Sequence, residues 1–410
     1  MKKFFALLLS LAMVLALVAC GQKDPTPDTP DTPDDPQTKV EYKVAMITDY
    51  GDITDQSFNQ TTYEACKAFA EDNSIEFSYF KPAGDNTADR VAMIEKAVDE
   101  GFNVIVMPGY AFGGAIVEAA PEFPDVKFIA LDVAAGDLLE TAVAKAGEAY
   151  DYTPENWDLN KYVDMSNVYC AVYQEELCGY MAGYAAVKLG YKNLGFLGGM
   201  SVPAVVRYGY GFVQGVDAAA ADLGLTDVKL NYIYGGQFFG DADITAVMDT
   251  WYQGGTEVVF ACGGGIYTSA VDAAKKVGAK VIGVDVDQAG VIANYAGVDG
   301  MTVTSAMKGL YPATYDTLTD VIVNGNWEKY VGKIETLGLV SGTDPEANYV
   351  QIPMGDGTQW SDSFTQDDYK AMVKDMFDGK ITVSNNTSSD VSAADFATVI
   401  TVDDQGSIKS

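Results

Sequence analysis

The chain of 410 residues contains no histidine. Histidine is the usual general base of hydrolytic triads and a common ligand of transition metals. Its absence excludes Ser-His-Asp and Cys-His catalysis and every histidine-ligated metal site. An enzyme would have to rely on paired carboxylates, for example a hydrolase using Asp49 and Asp285. We therefore predict a binding protein rather than an enzyme, with no catalytic residue, no metal and no cofactor.

Basic residues are scarce, with 26 Lys and Arg against 58 Asp and Glu and a formal net charge of −32. Such a surface repels the phosphate backbone of nucleic acids and the head groups of anionic lipids. Nucleic acid is therefore not an expected partner, and the folded body is not expected to adhere to a membrane by itself.

Cysteine is also rare, and no Cys-x-x-Cys pair gives the spacing of a zinc site. Apart from Cys20 there are four cysteines, a number that would permit two disulfides. They lie in segments with helical or strand-like patterns, which favours buried free thiols packed as small apolar side chains. These four residues are Cys66, Cys170, Cys178 and Cys262.

The segment Met1–Cys20 is typical of a bacterial lipoprotein signal peptide. Two lysines precede an apolar run, Phe4–Ala19, and Cys20 follows directly. This arrangement resembles a lipobox, in which signal peptidase cuts before the cysteine and the thiol carries diacylglycerol. The run is shorter than the roughly 20 residues that span a bilayer, which favours the signal over a transmembrane anchor. We expect residues 21–40, rich in Pro, Asp and Thr, to be an extended tether.

From Tyr42 the chain alternates short apolar runs with amphipathic stretches, which predicts βαβ units and parallel sheets. The first run of strands is predicted at Lys43–Thr48, Ile75–Tyr79, Val104–Met107 and Lys127–Leu131. The second run is predicted at Val168–Val172, Leu194–Leu197, Val228–Tyr232, Val258–Ala261 and Val281–Val284.

We therefore predict an α/β fold with two doubly wound parallel-sheet lobes joined by a hinge. The N-terminal lobe is assigned residues 41–166 plus about 287–323, and the C-terminal lobe 167–286 plus about 324–400. The acidic, aromatic stretch 133–166 is interpreted as an insertion or a long connection. Ligands of such sheets bind outside the carboxyl ends of the strands. In two facing lobes these ends would share one cleft.

Four blocks of the sequence occur in a characteristic order. They are Ile47–Gly51 with Asp55–Gln60, Leu194–Met200 with Pro203 and Arg207–Gly215, Val281–Gln288, and Thr304–Lys308. Together they resemble the basic membrane protein family of lipoproteins, whose members are substrate-binding components of ABC importers and whose characterised members bind purine nucleosides. The resemblance, from about Lys43 to about Val323, implies a periplasmic-binding protein type I fold with a purine nucleoside, an ABC permease and an ATPase as partners.

The first block implies three ligand-binding residues: Asp49, Phe58 and Asn59. Ser57 is the expected N-cap of the helix that follows, so Phe58 and Asn59 would lie in its first turn. The ring can stack on a heterocycle and the amide can pair with its edge. In the alternative interpretation, Phe58 is a core residue and Asn59 a cap.

The segment Gln237–Asp241 resembles the family's second aromatic contact, which faces the first across the cleft. We select Phe239, with Phe238 as the alternative, because Asp241 follows at the family's interval. Ala242 stands where the family has proline. In the competing interpretation, one or both rings pack beneath a loop.

Four more ligand-binding residues are expected at strand ends. Gly263 lets the backbone approach a ligand. Asp285 can accept from ribose hydroxyls, and Lys308, expected to begin a helix, can donate to the sugar or orient Asp285. Asp132 is the candidate for pairing with base N–H groups. Alternatively, Asp285 and Lys308 form a structural ion pair.

These features together predict a lipid-anchored protein on the extracytoplasmic face of the cell membrane. It would capture purine nucleosides for an ABC importer. A binding protein for a sugar or another small solute and a ligand-sensing receptor remain as alternatives.

The lipid anchor gives a direct prediction. Cys20→Ala should abolish labelling by radioactive palmitate and release the protein from the membrane fraction, because the acylated thiol would be missing. Labelling that persists in this variant would refute the lipobox interpretation.

Overall fold

The computed structural model describes residues 41–409. The signal peptide, Cys20 and the tether lie outside this range, so those predictions stay untested. None of the described helices is both long and apolar enough to cross a membrane.

Two lobes are built around two separate sheets. The first lobe contains β1 (Lys43–Ile47), α1 (Phe58–Asn73), β2 (Glu76–Phe80), α2 (Thr87–Asp99), β3 (Val104–Pro108), α3 (Gly113–Ala119), β4 (Lys127–Leu131), α4 (Ala135–Lys145), α5 (Leu159–Tyr162) and β5 (Val168–Tyr173). The chain continues with α6 (Glu175–Lys188), β6 (Asn193–Gly198), α7 (Pro203–Asp222), β7 (Lys229–Tyr234), α8 (Ala242–Gln253), β8 (Val258–Cys262), α9 (Tyr267–Val277), β9 (Lys280–Asp285), α10 (Ala289–Ala296) and β10 (Thr302–Lys308). The last elements are α11 (Leu310–Leu318), β11 (Ile334–Leu337), β12 (Val350–Gln351), α12 (Gln366–Phe377) and β13 (Thr401–Ser407).

The first sheet has six parallel strands in the order β11-β5-β4-β3-β1-β2. The second has seven, in the order β12-β10-β9-β8-β6-β7-β13, and only β12 is antiparallel. The central strands are buried along most of their length, which explains their nearly continuous apolar runs. The chain passes between the sheets after β5, after β10 and after β11, so three segments connect the lobes.

Strand pairing corrects the predicted division of the chain. β5 was assigned to the second lobe, but Val168–Tyr173 pairs with β4 in the first sheet. β10 lies within the predicted N-terminal segment 287–323, yet it pairs with β9 in the second sheet. β11 was also expected in the second lobe and pairs with β5. Apolar runs reveal that strands exist but not where the chain passes from one sheet to the other. β5 and β10 each pair with the preceding strand, whereas β11 pairs with a strand distant in sequence.

The stretch 133–166, interpreted as an insertion or a long connection, includes helical structure. It contains α4, which packs on α3, and the short α5. The buried face of α4 is formed by Leu138, Leu139, Ala142 and Val143. Alanine is only weakly apolar, and the acidic residues of α4 interrupt the helical spacing of its apolar residues, so the sequence pattern of this helix is weak.

The four described cysteines are free and buried, which confirms the prediction. Burial raises the pKa of the Cys66 and Cys170 thiols above their usual range. These thiols therefore stay neutral and pack as apolar groups.

Glycines allow α6 and α7 to pack closely at the base of the cleft. A Cβ on Gly211 would lie 2.1 Å from the carbonyl oxygen of Glu176, and one on Gly179 would lie 2.3 Å from that of Tyr208. These distances are far below normal contact, so side chains at these positions would force the helices apart. The contact places the start of α6 beside Arg207 and Tyr208.

Gly211→Ala should lower the free energy of unfolding by about 1–3 kcal/mol, the usual cost of overpacking. Gly290→Ala is the matched control, because Gly290 also lies in a helix but a Cβ there has no atom within 4 Å. Alanine at this control position should stabilise by about 0.5–1 kcal/mol. Urea denaturation of both variants measures the difference, and equal stabilities would contradict the close helix contact.

Candidate functional site

The carboxyl ends of both sheets face one cavity of about 370 Å³. This volume falls in the range of pockets that enclose small ligands. All eight residues predicted from the sequence lie in its lining: Asp49, Phe58, Asn59, Asp132, Phe239, Gly263, Asp285 and Lys308. The structure thus brings together side chains from positions 49 to 308, contributed by both lobes.

A buried ammonium group occupies the base of the cavity. The Nζ atom of Lys308 lies 2.5 Å from Oδ2 of Asp132, 3.4 Å from Oε1 of Glu175 and 3.8 Å from Oδ1 of Asp285. Glu175 in turn accepts from Nε of Arg207 at 2.7 Å. Carboxylates at the end of β4, after β5 and at the end of β9 therefore meet around one cation.

The neighbouring carboxylates keep the Lys308 ammonium group charged. Burial by itself would lower the pKa of Lys308, but Asp132, Asp285 and Glu175 outweigh burial and raise it. Burial raises the pKa of Asp132 to about 6, although the Lys308 ammonium opposes this change. An uncompensated charge here would be costly, so the cluster is stable only as a unit.

Lys308 differs from its prediction in two respects. It ends β10 rather than beginning a helix, since α11 starts at Leu310. Its shortest contact is with Asp132, whereas Asp285 is the most distant of its three carboxylates. Lys308 therefore orients Asp132 more directly than Asp285.

Asp132 retains one free acceptor. Oδ2 accepts from Lys308, whereas Oδ1 is buried and has no hydrogen-bond partner. The residue has a φ of 59°, in the left-handed region that L side chains seldom adopt. This strained backbone aims a carboxylate into the cavity at the end of β4.

Asp285 is held by two hydroxyl groups. Ser57 Oγ donates to Oδ2 at 2.5 Å and Tyr208 OH donates to Oδ1 at 3.2 Å. Asp285 also has a positive φ, 64°. Ser57 was expected to cap α1, but its side chain makes no capping bond and crosses to the other lobe instead.

Asp55 takes over the capping role at α1. Its carboxylate accepts from the backbone N–H groups of Ser57, Asn59 and Gln60 at 2.9–3.1 Å. Ser57 was the expected cap, and its tertiary contact with Asp285 leaves this role to Asp55.

Asn59 and Asp49 are fixed beside one another. Asn59 Nδ2 donates to Asp55 at 3.2 Å, and its Oδ1 is buried without a partner. Asp49 Oδ1 accepts from the backbone N–H groups of Tyr50 at 2.6 Å and Gly51 at 2.7 Å. Burial raises the pKa of Asp49 despite these bonds. A Cβ at Gly51 would lie 2.2 Å from Asn59 Nδ2, so a side chain there would displace the Asn59 amide.

Two aromatic rings contribute to the cavity in different ways. Phe58 is half-buried and packs against the main core, and the centroid of its ring lies 4.7 Å from Lys308 Nζ. Phe239 is 57% exposed, whereas Phe238 packs against Gly199 and Gly263, where an added Cβ would lie within 2.7 Å of its ring. Phe239 is therefore the ring left free, and Phe238 supports the loop beneath it.

Hydrogen bonds between the lobes surround the cavity. Besides Ser57–Asp285 and Lys308–Asp132, Gln288 Nε2 donates to the carbonyl oxygen of Gln56 at 3.1 Å. At the rim, Tyr50 OH lies 3.3 Å from Met200 Sδ. The structure is therefore a closed arrangement of the two lobes.

Sequence reasoning missed Glu175, Tyr208 and the role of Arg207. Glu175 lies shortly after β5, as Asp49 lies shortly after β1. Its position after a strand could therefore have identified Glu175 as a site residue. Tyr208 lies inside α7, where an aromatic residue indicates only a packed face.

Comparison with known proteins agrees with this architecture. The chain resembles the crystal structure of an ABC transporter system solute-binding protein from Aeropyrum pernix K1, with a TM-score of 0.60 and 20% identity over 84% of this chain and 88% of that chain. A solute-binding protein from Conexibacter woesei gives a TM-score of 0.58 and 20% identity over 84% and 99%. The fold is thus the type I periplasmic-binding fold, as predicted.

The family follows from the sequence. Residues 42–343 match the model of the Bmp family, described as ABC transporter substrate-binding protein PnrA-like, and the chain belongs to this family. It is 25% identical to the ABC transporter nucleoside-binding protein BmpA of Lactococcus lactis subsp. cremoris over 92% of this chain and 96% of the relative. Basic membrane protein B of Borreliella burgdorferi is 26% identical, over 76% and 83%.

The acidic cavity predicts an unusual dependence of stability on pH. Burial raises the pKa of Asp137 and Glu176 to about 7 and that of Asp132 to about 6. A carboxyl with a raised pKa in the folded chain binds a proton more readily when folded. The ligand-free protein should therefore become more stable as the pH falls from 8 to 6.

Asp137→Asn should reduce the increase in stability between pH 8 and pH 6. It should also raise the free energy of unfolding at pH 8 by about 1–2 kcal/mol. Asparagine can still accept from the backbone N–H of Ala134, as Asp137 does. Glu140→Gln, at an exposed position of the same helix, serves as the control. Urea denaturation at both pH values is the measurement, and an unchanged pH slope in Asp137→Asn would refute the assignment.

Proposed function

We propose that this protein binds purine nucleosides and delivers them to an ABC importer. The observation that carries the proposal is the pair of unpartnered acceptors, Asp132 Oδ1 and Asn59 Oδ1, in a cavity lined by aromatic rings. Buried acceptors require donors, which a nucleoside supplies through its ribose hydroxyls and base N–H groups.

The charge of the cavity supports a neutral ligand. Three carboxylates surround Lys308, and Arg207 is already paired with Glu175. A phosphate group would meet these carboxylates, and the further cation of the lining, Lys81, is paired with Asp52 at 3.0 Å. Phosphorylated ligands are therefore disfavoured, while a ligand that donates hydrogen bonds is favoured.

Each wall of the cavity has a proposed role. Phe58 and Phe239 hold the flat base between them, and Asn59 and Asp132 pair with its edge. Asp285 accepts from the ribose hydroxyls, with Ser57 and Tyr208 fixing its orientation. Asp49 and the backbone at Gly263, whose φ of 139° favours glycine, complete the enclosure.

Relatives support the same assignment. The Lactococcus lactis relative is named a nucleoside-binding protein of an ABC transporter. Two Pyrococcus relatives, 25–26% identical, are named lipoproteins. Together with the predicted lipobox, these names support a lipid-anchored protein on the extracytoplasmic face of the membrane, working with a permease and an ATPase.

The ligand itself provides the test of this function. Denaturing mass spectrometry of the purified protein should reveal a purine nucleoside released on unfolding. Calorimetry with a nucleoside panel then ranks the candidates. A co-purified sugar, together with no heat from any nucleoside, would replace the proposal by the sugar-binding alternative.

Phe58→Ala should weaken nucleoside binding by about 1–3 kcal/mol, the range for stacking of a base on an aromatic ring. Phe77→Ala is the matched control, because Phe77 is half-buried and contacts Tyr63 away from the cavity. Calorimetry should show weaker binding only in the first variant. Unchanged affinity combined with a collapse of thermal stability would identify Phe58 as a core residue alone.

A further inference from the structure

The last described residues of the chain return to the cleft. β13 adds to the edge of the second sheet beside β7, with Ser407 opposite Tyr234. The backbone N–H of Ile408 then donates to the carbonyl oxygen of Tyr234 at 2.8 Å. Lys409 is thereby delivered to the start of the loop 235–241, which carries Phe239.

Lys409 lies directly on this loop. Gly236 has a φ of 79°, and a Cβ there would lie 2.7 Å from Cβ of Lys409. The Lys409 ammonium donates to Gln237 Oε1 at 3.0 Å and forms an ion pair with Asp241. One side chain thus contacts both ends of the segment that contains Phe239.

The contacted residues brace the loop. Asp241 caps α8 by accepting from the N–H of Ile244 at 3.0 Å. Gln237 Nε2 donates to Asp241 at 3.0 Å and to the carbonyl oxygen of Phe239 at 2.9 Å. The network therefore fixes the backbone on which the Phe239 ring stands.

The Phe239 ring has little packing of its own. It is 57% exposed, so its direction depends on the loop backbone rather than on a surrounding core. On the opposite side, the N–H of Gly265 donates to the carbonyl oxygen of Phe238 at 2.8 Å. The loop is thus held between the glycine segment after β8 and the C-terminal segment. The latter lies beyond the residues 42–343 matched by the family model.

We propose that Lys409 is a positioning residue for ligand binding: it orders the loop 235–241 and so sets the direction of Phe239 in the cleft. The affinity part of this inference rests on the proposed nucleoside function. The loop-ordering part does not, because it concerns the ligand-free protein.

Lys409→Met, Lys409→Arg and the control Lys380→Met test the inference in the full chain. Lys380 also forms an exposed ion pair, with Asp375, but belongs to the end of α12. In the ligand-free protein, hydrogen exchange at the amides of residues 236–241 should quicken in Lys409→Met only. Affinity for inosine should fall about three- to fivefold, as expected for the loss of one partly exposed ion pair, and Lys409→Arg should restore it.

A Phe239→Ala background separates positioning from a general effect. If Lys409 acts through the ring, Lys409→Met should change affinity less than about twofold in that background. The inference is overturned if exchange at 236–241 is unchanged, if affinity is unaffected although exchange quickens, or if the loss of affinity is equally large without Phe239. If wild type binds no nucleoside, the proposed function fails, whereas the exchange data still decide whether Lys409 orders the loop.

Discussion

The ion cluster around Lys308 is the interaction on which the site depends. One ammonium group joins the end of β10 in the second sheet to carboxylates that follow β4 and β5 in the first. Removing the cation would leave Asp132 and Asp285 buried without their cationic partner, at a cost of about 3–5 kcal/mol, whereas Glu175 would keep Arg207. The cluster therefore links the geometry of the cleft to the closed arrangement of the lobes.

The cluster also leaves the cavity short of donors. Lys308 and Arg207 are committed to carboxylates, whereas Asp132 Oδ1 and Asn59 Oδ1 stay unpartnered. Under the proposed function, ligand selection follows from complementarity: the favoured molecule donates hydrogen bonds, offers a face to Phe58 and Phe239, and carries no negative charge. Burial raises the pKa of several of these carboxyls, so recognition and pH-dependent stability both depend on the enclosed acidic groups.

Much of the fold could be predicted from the sequence, because buried parallel strands give apolar runs and their flanking helices give a clear period. β4 has the predicted bounds, Lys127–Leu131. Lobe membership could not be predicted, because apolar runs do not mark where the chain changes sheets and because β11 pairs with β5 across more than 100 residues. All eight predicted residues line the cavity, but their partners were predicted less well. The Ser57 side chain bonds to Asp285 rather than capping α1, and Lys308 lies closer to Asp132 than to Asp285, because interlobe contacts override local preference.

Calorimetric titration of the ligand-free protein with inosine and with inosine 5′-monophosphate tests the central claim most directly. The two molecules share base and ribose and differ in one anionic group. The arrangement of carboxylates around Lys308 predicts that the nucleoside binds and that the monophosphate binds at least about 100-fold more weakly, because its charge would be buried beside like charges. Equal or tighter binding of the monophosphate would contradict the account.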